Sequence, residues 1–320
     1  MDASLEHLRQ LTATLRSNVE KCAANPDIDP VHDLRTGTRR VQAMVESMLR
    51  ERGDDSLNEP AGRWLNMLKK LRRAAAAARD LDVHRKLLHK LVKISDQNKN
   101  IEATSGNNGA GNVAQPSTDV VESTATTQPR TPIERQADDL DAWLRHARQH
   151  HAASLKKKTA KWLSRFDEEA AAFESAIAQA TRTRRRPRSA AIVALDAFAC
   201  LAHEMHQLDT GNLHDFRKGA KKARYIAESV AEDPHAQAVG KTLKKLQDDI
   251  GDWHDWLVLA EEARTALDDD GRDLITLLDA ERDRHYALAM KTVDRLRGKL
   301  MGEWVAASNV RRRNNEVIRN

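Results

Sequence analysis

Glycine and proline are scarce in this chain, 13 and 8 of 320 residues, which excludes collagen-like repeats and argues against a turn-rich sandwich or barrel. Aromatic residues number only twelve: six Trp, two Tyr and four Phe. None sits in a GFxF-type run, which weakens a role as a stacking platform for single-stranded nucleic acid. The two cysteines, Cys22 and Cys200, show neither CxxC nor Cys/His ligand spacing. They exclude a disulfide scaffold and read as buried thiols on apolar helical faces, in keeping with a reducing cytoplasm. No stretch approaches the ~18 apolar residues of a membrane span, and the N-terminal MDASLEHLRQ carries charges where a signal peptide needs an apolar run. A soluble, cytoplasmic protein without membrane contact is expected. Nor is there a large excess of one sign of charge. Lys and Arg number 53 against 48 Asp and Glu, so the placement of charge matters more than its sum of +5.

What is present is helical periodicity. Leu5, Leu8, Leu11 and Leu15, then Leu34, Val41, Val45 and Met48, then Trp64, Leu68 and Leu71 recur at spacings of three, four and seven. Turn chemistry in NPDIDP and RGDDSLNEP breaks the pattern. From 96 to 132 the composition shifts to Asn, Gly, Ser, Thr and Gln, which predicts a disordered insertion. Periodicity resumes at Ile133. The expected organisation is an all-α chain with a first helical half at 1–95 and 133–180, a second at 181–306, and a loose basic tail at 307–320.

Two strings stand out, VHDLRTGTRR from Val31 and LHDFRKGAKK from Leu213, 182 residues apart. On a helical projection Val31, Leu34, Thr38, Val41 and Val45 share one arc, while His32, Arg35, Thr36 and Arg39 lie beside it. In the second string Leu213, Phe216, Ala220 and Ala223 take the apolar arc, and His214, Arg217, Lys218, Lys221 and Arg224 the neighbouring one. Each builds a cationic stripe about three turns, roughly 15 Å, long. Like charges along a helix cost tenths of a kcal/mol per pair, so a repeated stripe asks for an anion. His32 and His214 fall near expected helix starts, where first-turn amides and the dipole favour anions. Gly37 and Gly219 are poor helix-interior residues and predict close approach of another helix or a ligand. Downstream, LKKLRRAAAAARDLDV from Leu68 aligns with LKKLQDDIGDWHDWLV from Leu243, placing Arg79-Asp80 opposite His254-Asp255.

The paired HDxRxxx[RK][RK] strings, RDLDV, KKARY from Lys221 and KKLQDDIGDWHD together resemble the CHAD family, the conserved histidine alpha-helical domain, over about residues 5–305 apart from the insertion. The resemblance implies two pseudo-symmetric helical bundles around a basic groove or pore that binds inorganic polyphosphate, and an association with polyphosphate granules or with triphosphate-tunnel domains. By position it implies His32, Arg35, Arg39 and Arg40 as phosphate ligands in the first half, and His214, Arg217, Lys218, Lys221, Lys222 and Arg224 in the second. Lys69, Lys70, Arg79, Lys244 and Lys245 are further candidates from the downstream segments. The chain lacks the ExExK signature of the triphosphate-tunnel enzymes, and Gln42 stands where the second string has Arg224, so the halves are expected to contribute unequally.

No cofactor, metal or catalytic residue is expected. Two other readings compete. A metal-dependent phosphohydrolase would use the HD dipeptides or the HEMH segment at His203 to His206, but each HD precedes a cationic stripe that repels metal ions. A general polyanion or nucleic-acid binder would use RHARQHHAASLKKKTAK from Arg145 and RTRRRPRS from Arg182. The first of these regions is also placed to serve the same groove as the two strings. No helix-turn-helix or zinc pattern supports sequence-specific recognition.

Overall fold

The structure, a computed structural model, describes residues 3–105, 130–180, 189–228 and 233–319. Its elements are α1 (Ala3–Ala24), α2 (Ile28–Arg52), α3 (Asn58–Ala74), α4 (Ala76–Ser105), α5 (Pro132–Gln179), α6 (Ala190–Glu204), α7 (Leu213–Glu228), α8 (Pro234–Leu267) and α9 (Arg272–Arg319). Single 3-10 turns lie at Asp55–Leu57 and Asp268–Gly271, and the described residues contain no strand. The expected all-α class is what is found.

Local chemistry sets the helix ends. Asp27 caps α2 by accepting the Ile28 amide at 2.8 Å, and Gly53, with φ 59°, closes it in the left-handed region. Thr131 and Glu134 form a reciprocal capping box with Pro132 at the first helical position of α5. Asp233 and Pro234 do the same work for α8, the carboxylate accepting the amides of His235 and Ala236. α4 runs on to Ser105, past the boundary expected at residue 95, and the rest of the predicted insertion from 106 to 129 lies outside the described residues. α9 likewise continues to Arg319 where a loose tail was expected; no glycine or proline interrupts it after Gly302.

The long helices pair antiparallel. Arg16 and Arg9 of α1 reach Asp167 and Glu174 of α5, Asp82 and Arg85 of α4 meet Arg148 and Asp141 of α5, and Arg264 and Asp249 of α8 meet Asp279 and Thr292 of α9. Three apolar cores result. The first joins α1, α2, α3 and the C-terminal part of α5, centred on Trp64 and Phe166 with ring centroids 4.8 Å apart. The second joins α6, α7, the start of α8 and the middle of α9 around Phe198, Phe216 and Trp253. The third was not anticipated: Leu81 and Leu88 of α4 and Leu140 and Leu144 of α5 pack against Trp256 and Leu259 of α8 and Leu274 and Leu278 of α9. It fastens the α4–α5 pair onto the α8–α9 pair and fixes how α2 and α4 face α7 and α8.

The two glycines of the repeated strings are explained by packing. A Cβ on Gly37 would lie 3.1 Å from Leu15 Cδ1 of α1, and one on Gly219 only 2.4 Å from Leu201 Cδ1 of α6. The expectation for the cysteines holds for Cys22 alone. Cys22 is buried in the first core, where burial pushes its thiol up to about 12, whereas Cys200 is exposed because its position on α6 turns away from the second core.

Truncation of either kind of core contact should be costly. Trp64→Ala is expected to lower unfolding stability by about 3–5 kcal/mol and Leu259→Ala by about 2–5 kcal/mol in urea titrations followed by far-UV circular dichroism. A loss below 1 kcal/mol for Leu259→Ala would mean that the third core does not hold the halves together.

Candidate functional site

α2 is locked by Val31, Leu34, Thr38, Val41 and Val45, all fully buried, and α7 by Leu213, Phe216, Ala220 and Ala223. With those arcs fixed inward, the neighbouring arcs have one place to point. His32, Arg35, Thr36 and Arg39 of α2 and His214, Arg217 and Lys221 of α7 line one cavity of about 320 Å³. Its other walls are Arg79, Asp80, Val83 and His84 of α4, and His254, Asp255 and Val258 of α8. Two helices from each half of the chain therefore share one cationic space.

Its polar groups are poorly satisfied. Arg35 Nη1 lies 3.5 Å from Asp80 Oδ1, too long for a hydrogen bond. Buried nitrogens of Arg35, Arg39 and Arg79, and Nδ1 of both His214 and His254, form no hydrogen bond. Arg217 is better held: its Nε donates to the Gln247 carbonyl at 3.1 Å, and its guanidinium covers Gly251 of α8. A Cβ at Gly251 would come 2.7 Å from Arg217 Nη2, so this glycine makes room for the arginine.

Protonation follows from burial and crowding. Burial pulls Lys221 down to about 7, with Arg39, Arg217, Arg224 and Arg72 adding to the shift. Burial also lowers Arg35 from its usual value, partly opposed by Asp80. His254 falls to about 4 through burial and then the adjacent His214 and Arg217. The two imidazoles sit with centroids 4.0 Å apart, and His214 too is lowered by burial, Lys218 and Arg217. Across the cavity, burial raises the Asp255 carboxyl to about 6. Acidification thus makes the cavity more positive on two counts.

The remaining expected residues are elsewhere. Arg40, Lys69 and Lys70 are exposed on α2 and α3 and do not line the cavity. Lys218 pairs with Asp215 at 2.9 Å, and with Lys221 and Lys222 it borders an adjoining groove that includes Gln42, Glu46 and Tyr225. Arg224 lies over the Tyr225 ring at 5.1 Å with Nε 3.2 Å from Glu228. Lys244 and Lys245 each bind a carboxylate one turn along α8, Asp248 and Asp249. The basic region from Arg145 does not reach the cavity, since its stretch of α5 packs behind α1 and α4. RTRRRPRS lies outside the described residues apart from Ser189. α6 ends at Glu204, so His203 and His206 of HEMH do not share a helical face.

Asp80, His84, His254 and Asp255 were not among the expected ligands. His84 is almost fully buried, its Nδ1 2.7 Å from Glu262 Oε2. The signal was available in the aligned segments, because Asp80 and Val83 stand opposite Asp255 and Val258, and both pairs line the cavity. The alignment conceals one difference: the first segment is broken at Ala75 between α3 and α4, whereas the second lies within unbroken α8.

The family model described as "CHAD domain" matches residues 6–264. The chain belongs to the CHAD domain family. The crystal structure of the CHAD domain from the plant Ricinus communis superposes with a TM-score of 0.55 at 17% sequence identity, covering 92% of this chain and 89% of that one, a likeness of fold. A search of curated proteins gives no significant match. Among the described residues of this CHAD chain no helix is long and apolar enough to cross a membrane.

A lysine whose folded value lies below its unfolded one destabilises the fold. For Lys221 the penalty is full below about pH 7 and fades as pH rises toward the usual lysine range. Lys221→Met should therefore raise the thermal midpoint most at pH 6 and progressively less toward pH 9, in phosphate-free buffer. A gain independent of pH would show that Lys221 is not charged against its surroundings.

Proposed function

We propose that this CHAD domain binds inorganic polyphosphate in the four-helix cavity, as a binding protein and not as an enzyme. The observation that carries the reading is the set of buried arginine nitrogens on Arg35, Arg39 and Arg79 that have no acceptor, in a cavity they share with Arg217 and Lys221. Buried cationic donors without a hydrogen bond are costly in a protein without a ligand, and an oxyanion polymer satisfies many of them at once. The lining contains no Trp, Tyr or Phe on which a base could stack, which favours polyphosphate over single-stranded nucleic acid. The cationic lining repels a divalent metal, which favours binding over metal-dependent hydrolysis.

In this reading Arg35, Arg39, Arg79 and Arg217 make directional contacts to phosphate oxygens, and Lys221 adds a compact charge. His214 and His254, neutral at pH 7, donate or accept according to tautomer. His32, an exposed member of the lining, is accessible to the chain. Such a protein tethers or senses polyphosphate, including at granules.

The decisive titration uses long-chain polyphosphate at about 150 mM salt with RNA of equal total charge as competitor. Tight binding that RNA does not displace is expected. Reversal of His214, Arg217, Lys221 and Arg224 to Glu should abolish it while the helical circular-dichroism signal survives; retained binding would remove α7 from the mechanism. Affinity should fall as pH rises from 6 to 8.5, because Lys221 loses its proton above about 7 and Asp255 is anionic above about 6. Calorimetry at pH 7.5 in buffers of different ionisation enthalpy should detect proton uptake on binding.

A further inference from the structure

Residues 142–166 of α5 contain seven Lys and Arg, three His and no Asp or Glu, in a chain where the two signs otherwise nearly balance. At 1.5 Å per residue this is roughly 37 Å of helix without a carboxylate of its own. Elsewhere the exposed helices intersperse the signs, as in Lys244–Asp248, Lys245–Asp249 and Arg284–Glu281. The arginines of the segment are partly neutralised: Arg145 by Asp141, Arg148 by Asp82 and Asp27, and Arg165 by Glu169. Lys156, Lys157, Lys158 and Lys161 are exposed and form no ion pair.

Their direction is set by the core. Leu155 and Thr159 are fully buried, and at about 100° per residue Lys157 and Lys161 fall on the opposite side of α5 and Lys158 on its flank, with His150 about two turns before Lys157 and three before Lys161. These side chains point away from the bundle, so the cavity cannot explain them. Nor do α1 and α4, packed on the inner face of α5, supply carboxylates to them; Glu20 and Asp82 are engaged with Arg16 and Arg148. Four unpaired lysines on one helix repel each other, which favours an external polyanion as their partner.

We propose that the outer face of α5 around Lys157, Lys158 and Lys161 is a second contact surface for the polyphosphate chain whose other part occupies the cavity. The inference rests on the cavity reading for its ligand. One polymer fits both places, because each presents cations that no carboxylate neutralises; on α5, Trp162 packs against the first core and the exposed Trp143 stands about four turns before Lys157. The placement allows it: Arg148, on the same helix, reaches both Asp27 at the cap of α2 and Asp82 of α4, the two helices that carry His32 and Arg79 into the cavity. A short oligomer fills the cavity alone, whereas a long chain extends across α5 and gains by avidity. Lysine suits this surface, since it holds a mobile chain by charge without demanding bidentate geometry.

The test compares tripolyphosphate with long-chain polyphosphate on the full chain carrying Lys157→Glu, Lys158→Glu and Lys161→Glu, and on a cavity variant with Arg39→Glu and Lys221→Glu. The α5 variant should bind tripolyphosphate within twofold of the parent but lose about tenfold or more for the long chain, with a shallower salt dependence. The cavity variant should lose both. Unchanged long-chain affinity in the α5 variant overturns the proposal while leaving the cavity reading intact, and so does a loss confined to RNA binding. An α5 variant that loses long chains in a parent that never binds tripolyphosphate supports the α5 surface and removes the cavity instead. Failure of the parent to bind any polyphosphate overturns both. Since the three lysines are exposed, Lys→Gln versions with intermediate losses separate charge from any effect on folding.

Discussion

Everything in this molecule depends on holding like charges together against their repulsion. Arg35, Arg39, Arg79, Arg217 and Lys221 converge from four helices on one cavity, and only Asp80 and Asp255 offset them there. Helices do not adopt such a placement for their own sake. It is imposed by the apolar arcs that sit beside the charged ones, because Val31, Leu34 and Val41 on α2 and Leu213 and Phe216 on α7 gain more from burial than the stripes lose by crowding. The lowered values of Lys221, Arg35 and His254 register the residual strain of that arrangement.

The three cores divide this task. The first and second each orient one histidine-bearing helix, and the third brings the two into register by clamping the α4–α5 hairpin onto the α8–α9 hairpin. Small residues finish the geometry. Gly37 and Gly219 let α2 and α7 sit close to α1 and α6, and Gly251 lets the Arg217 guanidinium lie flat on α8. The cavity is thus a property of the junction and belongs to neither half alone.

The same logic separates two kinds of basic residue. Most of those at the cavity are half-buried and incompletely paired, so they are responsive to an anion, and Lys221, drawn down to about 7, is responsive to pH as well. Lys244 and Lys245, which look alike in the sequence, are quenched by Asp248 and Asp249 on their own helix. The lysines of α5 form a third class, exposed and unpaired, on a face that no part of the described fold covers.

The sequence by itself determined the all-α class, the inward arcs of α2 and α7 and the cationic stripes beside them, because helical periodicity is local and a repeated pattern is visible without a fold. Seven of the fifteen expected ligands, His32, Arg35, Arg39, Arg79, His214, Arg217 and Lys221, do line the cavity. Only the tertiary structure decided which stripe residues face inward across the junction, since that depends on contacts between Leu81 or Leu140 and Trp256 or Leu259, far apart in the chain. It also placed Asp80, His84, His254 and Asp255 in the walls, turned Cys200 outward, and carried α4 and α9 past the ends that composition suggested. Periodicity reports which side of a helix is buried; only packing reports what that side, and the one next to it, will meet.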